Sequence, residues 1–263
     1  MRAAESPCAA ETDALDAGVL CQRLSRYVEG NKKELAVIRV PTEEEEQQRH
    51  IHRQREALVR ARTKLQAQGR ALLLTHGQPP LPRWWRERGW SALGKVLPAW
   101  LLARLEVFRP VLAVLDTQIA ALSAELEKAA PADLPGGLGK LTTVTLSREV
   151  CDWQRFQNRR QVSSYTGLCP GEYSSGGKRL PGAVTKHGNP RLRCALVELA
   201  WRLLRFQPGY PPVQKRLGLL ARGAQATGGA RKKAIVAVAR QLAVDLWRLH
   251  TGRTTSAKLG LLP

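Results

Sequence analysis

Apolar residues recur at helical spacing along most of the chain. Leu15, Val19, Leu20 and Leu24 follow Thr12, a capping residue type, with Asp13 and Asp16 in the first turn, so a short helix is predicted to about Tyr27. Gly30 and Asn31 break it, and the β-branched run 36–40, closed by Pro41, reads as a strand. From Thr42, a cap backed by Glu43 to Glu46, the register changes: Ile51, Leu58, Leu65 and Leu72 fall seven apart and predict a long helix to about His76. Beyond a Trp-rich connection over 78–98, the positions Leu101, Leu105, Phe108, Leu112, Leu115, Ile119, Leu122 and Leu126 alternate steps of four and three. That is a coiled-coil seam, in which Pro110 should kink the helix or begin a new one. Two such helices joined by a loop predict an antiparallel hairpin, either a coiled coil or a pair of core helices in a bundle.

Pro131, Pro135, Gly136 and Gly137 mark a linker, after which the chain reads as a compact basic unit to about residue 250. Residues 147–160 should be partly helical. Residues 167–188 hold six Gly and two Pro and are expected to be loop. Asn189-Pro190 is a cap followed by a first-turn proline, and Leu192, Ala195, Leu196, Leu199 and Leu203 form the apolar face of the helix that follows. A basic loop over 222–233 then leads to a closing helix packed through Ile235, Val238, Leu242, Leu246 and Leu249. The fold class is therefore mainly α, in segments 1–41, 42–130 and 131–263. The first of these is too short for a domain and reads as the end of one.

Charge narrows the function. Among 263 residues, 42 Lys and Arg face 22 Asp and Glu, a net +20 with a pI near 10.6, which calls for a polyanionic partner. Hydrophobic residues at 43% rule out a disordered basic tail. The five cysteines form no C-x-x-C and suit a reducing compartment, so the cytoplasm, at the nucleoid, is the expected location. Lys95, Arg104, Glu106, Arg109 and Asp116 interrupt the best candidate for a membrane span, and none is expected.

Several constellations invite chemistry. Gly136 to Lys140 fails as a phosphate loop, because Leu134 stands where its first Gly belongs and Leu141 where its Ser or Thr belongs. His50 and His52 lack a third ligand and read as exposed histidines on a basic helix. That helix carries Arg49, Arg53, Arg55, Arg60, Arg62, Lys64 and Arg70 against Glu56, a bias that favours phosphate contact over a solvated face. In Gly171 to Arg179, glycines permit close backbone approach, Ser174 and Ser175 offer a hydroxyl nucleophile, and Lys178 and Arg179 can stabilise a phosphorane; a flexible basic turn is the plain alternative. Asp13 and Asp16 place two carboxylates one helical turn apart, suited to a divalent metal or simply to the helix dipole.

The run from Arg148-Glu149-Val150 through Asp152-Trp153, Phe156, Asn158 to Val162 and Tyr165 to Pro170, followed by Glu172 to Gly177 and Thr185 to Asn189, closely resembles the C-terminal domain of insertion-sequence 110 type transposases, relatives of the Piv invertase. Thr12 to Ala17 and Val40 to Glu45 are similar to that family too, so the resemblance covers nearly the whole chain. It implies an RNase H-like (RuvC-like) domain with an Asp-Glu-Asp-Asp site for Mg²⁺, a coiled coil, and a C-terminal domain with a catalytic serine. It also implies DNA strand exchange guided by a bridge RNA within a dimer or tetramer. Residues 1–41 would then be the remnant of the RuvC-like domain, 42–130 the coiled-coil hairpin, and 131–263 the transposase domain. Ser175 matches the nucleophile that forms a phosphoserine link, in preference to Ser174, because many relatives differ before the Ser-Gly pair. Asp13 and Asp16 match the last two metal acids. Lys178, Arg179, Lys186, Arg159, Arg160, Arg191 and Arg193 are the candidate nucleic-acid contacts. The first Asp and the Glu of the quartet belong upstream of Thr12, so an N-terminally truncated copy is expected, with poor Mg²⁺ binding. The alternative is a catalytically dead remnant that only binds nucleic acid or oligomerises.

Overall fold

A computed structural model gives the structure over residues 10–35, 37, 39–79, 81–175, 178–221 and 223–262; the side chains of residues 10–12, 173–175 and 178–181 lie outside the description. Residues to Thr42 and residues from Glu43 form two compact units. The first holds helix α1 (Ala10–Val28), on which Leu15, Val19, Leu20 and Leu24 fall as the spacing requires, all of them exposed. Gly30, at φ +112°, turns the chain after it. Where a strand is predicted, Val37, Arg39 and Val40 carry no regular structure, and Ala36 and Ile38 lie outside the described residues. A β-branched run becomes a strand only against a ladder partner, and no partner strand is described in this unit.

The second unit opens with α2 (Glu43–Thr75), the predicted long helix, whose first turn holds four glutamates at the positive end of the helix dipole. The Trp-rich connection contains α3 (Glu87–Gly94) and leads to α4 (Ala99–Glu106) and α5 (Arg109–Lys128). Pro110 starts a new helix, since its missing N–H and fixed φ suit the first turn. Arg55 Nε donates to Ser123 Oγ (2.7 Å) and Arg62 Nη1 to Asp116 Oδ1 (2.8 Å), so α2 and α5 run antiparallel.

Leu112, Ile119 and Leu126 are buried at the predicted seven-residue spacing. On α2, however, the buried positions are Arg49, His52, Gly69 and Leu73, while Ile51, Leu58, Leu65 and Leu72 are half-buried. Polar contacts from Arg55 and Arg62 occupy part of the seam and turn the helix off its heptad line. Residues 99–128 include a stretch that could cross a membrane by length and composition, which the interrupting charges did not suggest. In the fold this stretch is broken between α4 and α5, and its Leu101, Leu105, Leu112, Ile119 and Leu126 line a protein interior.

The far end of the α2–α5 pair is closed by Trp84, which has no exposed surface and packs against Gly69, with Leu73, Leu93, Leu97, Leu101, Leu105 and Leu112 around it. Beyond the linker follow α6 (Lys140–Val150), α7 (Arg159–Tyr165), strands β1 (Pro170–Ser175) and β2 (Lys178–Val184), α8 (Pro190–Phe206), α9 (Pro211–Gln214), α10 (Leu217–Leu220), α11 (Gly228–His250) and α12 (Ser256–Leu259). Helices α8 and α11 form the core, with Leu192, Leu196, Leu199 and Leu203 meeting Ile235, Val238 and Leu242. Within it, Tyr210 Oη donates to the buried Asp245 Oδ2 (2.7 Å). Gln207 Nε2 donates to the carbonyls of Gly136 (3.1 Å) and Leu262 (2.6 Å), tying the linker to the last residues described. The segment 167–188, expected to be loop, contains the β1–β2 hairpin, a short antiparallel ladder with an irregularity between Pro170 and Glu172.

A Cβ at Gly69 would overlap the Trp84 indole. Gly69→Ala should therefore lower stability by about 1–3 kcal/mol despite the better helix propensity of Ala. Urea unfolding reads this out, and an unchanged midpoint would mean that Trp84 can move aside.

Candidate active site

The candidate serine sits at the tip of the hairpin. Backbone pairing sets Tyr173 against Leu180, Ser174 against Arg179 and Ser175 against Lys178, so Ser175 and Lys178 are the last pair before the turn. Gly176 and Gly177 lie outside the described residues, as do the side chains of Ser174, Ser175, Lys178 and Arg179.

The base of the hairpin is clamped. Thr185 N–H donates to Cys169 O (2.9 Å), Asn189 N–H to Tyr165 O (3.1 Å) and Arg193 Nη1 to Lys186 O (3.0 Å). Gly167 (φ +65°) and Gly188 (φ +132°) bring the two legs so close that a Cβ at Gly188 would stand 2.5 Å from Tyr165 O, and one at Gly167 2.6 Å from His187 O. Only glycine meets both demands, the positive φ and the approach.

Below the clamp lies a carboxylate cluster that the residue-by-residue reading missed. Glu149, with no exposed surface, accepts from His52 Nε2 (2.8 Å) and Arg53 Nε (3.0 Å) at Oε1, and from Asn189 Nδ2 (2.7 Å) and Arg53 Nη2 (3.2 Å) at Oε2. Its backbone carbonyl accepts from Arg49 Nη2 and the Tyr165 hydroxyl, both at 3.2 Å. Burial pushes its pKa up, but the His52, Arg53 and Asn189 hydrogen bonds and the Arg53 charge together pull it well below the usual carboxylate range. With Glu149 ionised, the His52 Nε2 must carry the proton. The signal that could have revealed the cluster was an acid one turn from Leu146 on an apolar helix face, matched by an N-cap Asn and by a His beside an Arg on a distant helix.

The placement of the predicted residues follows. His50 is exposed as expected, but His52 is buried, because Glu149 draws it in. The basic face of α2 is largely engaged within the protein: Arg49 and Arg53 with Glu46 and the Glu149 region, Arg55 with Ser123, Arg60 with Glu56, Arg62 with Asp116. Asn158 caps α7, accepting from the N–H groups of Arg160 and Gln161, and leaves Arg159 and Arg160 exposed on its first turn. Lys186 is exposed in a left-handed backbone conformation (φ +58°). Arg191 pairs with Glu56 (2.7 Å), and Arg193 holds the Lys186 carbonyl. Arg155 stacks over Tyr165 at 4.1 Å. A cleft of about 830 Å³ opens beside the cluster between α2, α5, α6 and α8, with Arg55, Arg60, Lys140 and Arg202 opposed by Glu56, Glu127 and Glu198. Asp13 and Asp16 are exposed on α1 in the other unit. Among the described residues no group of three or more His, Cys, Asp or Glu is placed to hold a metal ion.

Comparison with known proteins places this hairpin and its clamp inside a recognised domain. Residues 134–212 match the family described as Transposase IS116/IS110/IS902. A Sinorhizobium fredii protein named as transposase y4rJ is 36% identical over 91% of this chain and 66% of its own length. A second from the same strain, named as transposase y4qE, is 31% identical over 85% of this chain and 62% of its own length. The transposase for insertion sequence element IS1328 of Yersinia enterocolitica is 28% identical over 94% of this chain and 74% of its own length. The chain thus spans less than two thirds of the length of the first two relatives.

Glu149→Gln should cost about 3–5 kcal/mol, since it leaves His52, Arg53 and Asn189 without their charged acceptor. Because the folded pKa of Glu149 is depressed, its contribution is fully present above its ordinary value of 4.5 and is lost as pH falls below it. Acid unfolding of the wild type should therefore steepen below about pH 4.5, and the Gln variant should lose part of that slope. Parallel acid limbs in the two proteins would mean that Glu149 is not the carboxylate responsible.

Proposed function

The chain belongs to the insertion-sequence 110 type transposases, and from that premise we propose that it cuts and joins DNA strands of a mobile element with Ser175 as the nucleophile. The supporting observation is the backbone pairing of Ser175 with Lys178 at the tip of a hairpin clamped at its base within the matched segment 134–212. In the proposed step, Ser175 Oγ bonds to phosphorus, the bond from phosphorus to one deoxyribose oxygen breaks, and the serine proton passes overall to that oxygen. A phosphoserine ester and a free hydroxyl result. Attack by an incoming hydroxyl reverses the step, so the phosphodiester energy is conserved and no external energy source is needed. Lys178 and Arg179 would steady the phosphorane charge. Exposed Arg159, Arg160 and Lys186, near the hairpin base in sequence, would hold backbone phosphates.

A guide RNA and a dimer or tetramer built through the α2–α5 pair belong to the same proposal, and both rest on the resemblance. Mg²⁺ stands differently. Asp13 and Asp16 offer two carboxylates one turn apart, and two ligands do not complete a site, so no step is assigned to a metal here. The net charge of +20 supports a second reading, in which this chain binds nucleic acid without cutting it.

A nicked suicide DNA substrate separates these readings. Ser174→Ala should still give a covalent protein–DNA adduct stable to denaturant, and Ser175→Ala should give none. An adduct from the Ser175→Ala variant would overturn the nucleophile assignment, and salt-sensitive binding without any adduct from the wild type would support the binding-only reading.

A further inference from the structure

The end of the helical pair remote from the Glu149 cluster carries a basic hollow that the proposed chemistry does not use. It measures about 430 Å³, and Arg83, Arg86 and Arg88 line it above a floor of Pro82, Gly89 and Ala92, with no acidic residue in its wall. The segment is rigidly mounted. Trp84 and Trp85 are buried beneath it, edge to face at 6.1 Å; Trp84 Nε1 donates to Gln66 O (3.3 Å) and Trp85 Nε1 to Asp116 Oδ2 (3.2 Å). Gly89 lets the helix start pack on the Arg83 carbonyl, which a Cβ there would meet at 2.8 Å, and Arg83 itself is held at φ +57°.

Asp116 serves three donors at once, Arg62, Trp85 and Arg86. Burial pushes its pKa up, and these hydrogen bonds, led by Arg62, bring it below the ordinary value, so it stays ionised beneath the hollow. Its charge is spent on Arg62 and Arg86. Arg83 and Arg88 are exposed with no ion pair among the described residues, and they face the same hollow as Arg86. Two unbalanced guanidiniums held beside a third repel one another until an anion neutralises them. Guanidinium forks match the oxygens of a phosphate, while the apolar floor leaves a sugar or base edge room without desolvating a polar group.

We propose that this hollow is a second nucleic-acid contact, which takes a phosphodiester of a DNA or RNA backbone between Arg83 and Arg88. The inference rests on the nucleic-acid reading above and adds a site remote from the serine hairpin. Helix α2, 33 residues long, spans about 50 Å. It carries Arg49, His52 and Arg53 of the Glu149 cluster near one end and, toward the other, Gln66 and Gly69, which hold Trp84 beside the hollow; the two sets lie about 20–30 Å apart along the axis, short of the roughly 34 Å of one turn of duplex. One nucleic acid engaging both ends would be held across most of a helical turn.

The test is the salt dependence of binding to a 40-base-pair DNA duplex and to a single-stranded RNA of matched length, compared between wild type, Arg83→Gln/Arg88→Gln and Arg83→Lys/Arg88→Lys. The Gln pair should flatten the slope of log affinity against log salt by about 1–2 on the probe that uses the hollow, with the thermal midpoint unchanged, and the Lys pair should keep the wild-type slope. Flattening on the duplex alone assigns the hollow to DNA, and flattening on the RNA alone assigns it to RNA. An unchanged slope on both probes, or a Lys pair as flat as the Gln pair, overturns the site while the nucleic-acid reading stands. A wild type that binds neither probe overturns that reading and this site with it.

Discussion

A fully buried carboxylate organises the second unit. Taking Glu149 out of water is costly, on the order of several kcal/mol, unless opposite charge and hydrogen bonds replace what water supplied. His52 and Arg53 on α2, Asn189 at the cap of α8, and Arg49 and Tyr165 at the Glu149 carbonyl provide that replacement. Each contact comes from a different distance along the chain, so satisfying one carboxylate fixes the rotation of α2, the start of α8 and the end of α7 together. The legs of the serine hairpin leave from Tyr165 and Asn189, two of those partners, and so inherit that rigidity.

The same demand redistributes the positive charge of the chain. The arginines of α2 form the most basic run in the sequence, yet five of the seven cations there are bound to Glu46, Glu56, Asp116, Ser123 and the Glu149 region. Exposed cations with no ion pair among the described residues include Arg159, Arg160 and Lys186 around the base of the serine hairpin and Arg83 and Arg88 at the far tip. The long helix thus commits most of its cations to the fold.

Rigidity is built by similar means at both ends. At the hairpin base, Gly167 and Gly188 allow two backbones to touch; at the tip, Gly69 admits the Trp84 ring and Gly89 admits the Arg83 carbonyl. In each case a missing side chain permits two segments to pack closely against each other.

Periodicity by itself determined the long helices. The apolar faces of α5, α8 and α11, the new start at Pro110 and the Asn189 cap were all legible, because each is a local consequence of side-chain spacing and backbone chemistry. The family resemblance, carried by short runs around the serine loop, was legible for the same reason. Where two elements meet was not. The strand read at 36–40 needed a partner, the heptad line of α2 gave way to polar contacts with α5, and the segment read as loop at 167–188 closed into a hairpin. Above all, an acid on an apolar face at 149, a histidine at 52 and a capping Asn at 189 are local hints, and none says that the three will share one buried charge. Pairings across some 40 to 100 residues depend on which faces the packed helices present to one another, and tertiary structure alone decides that.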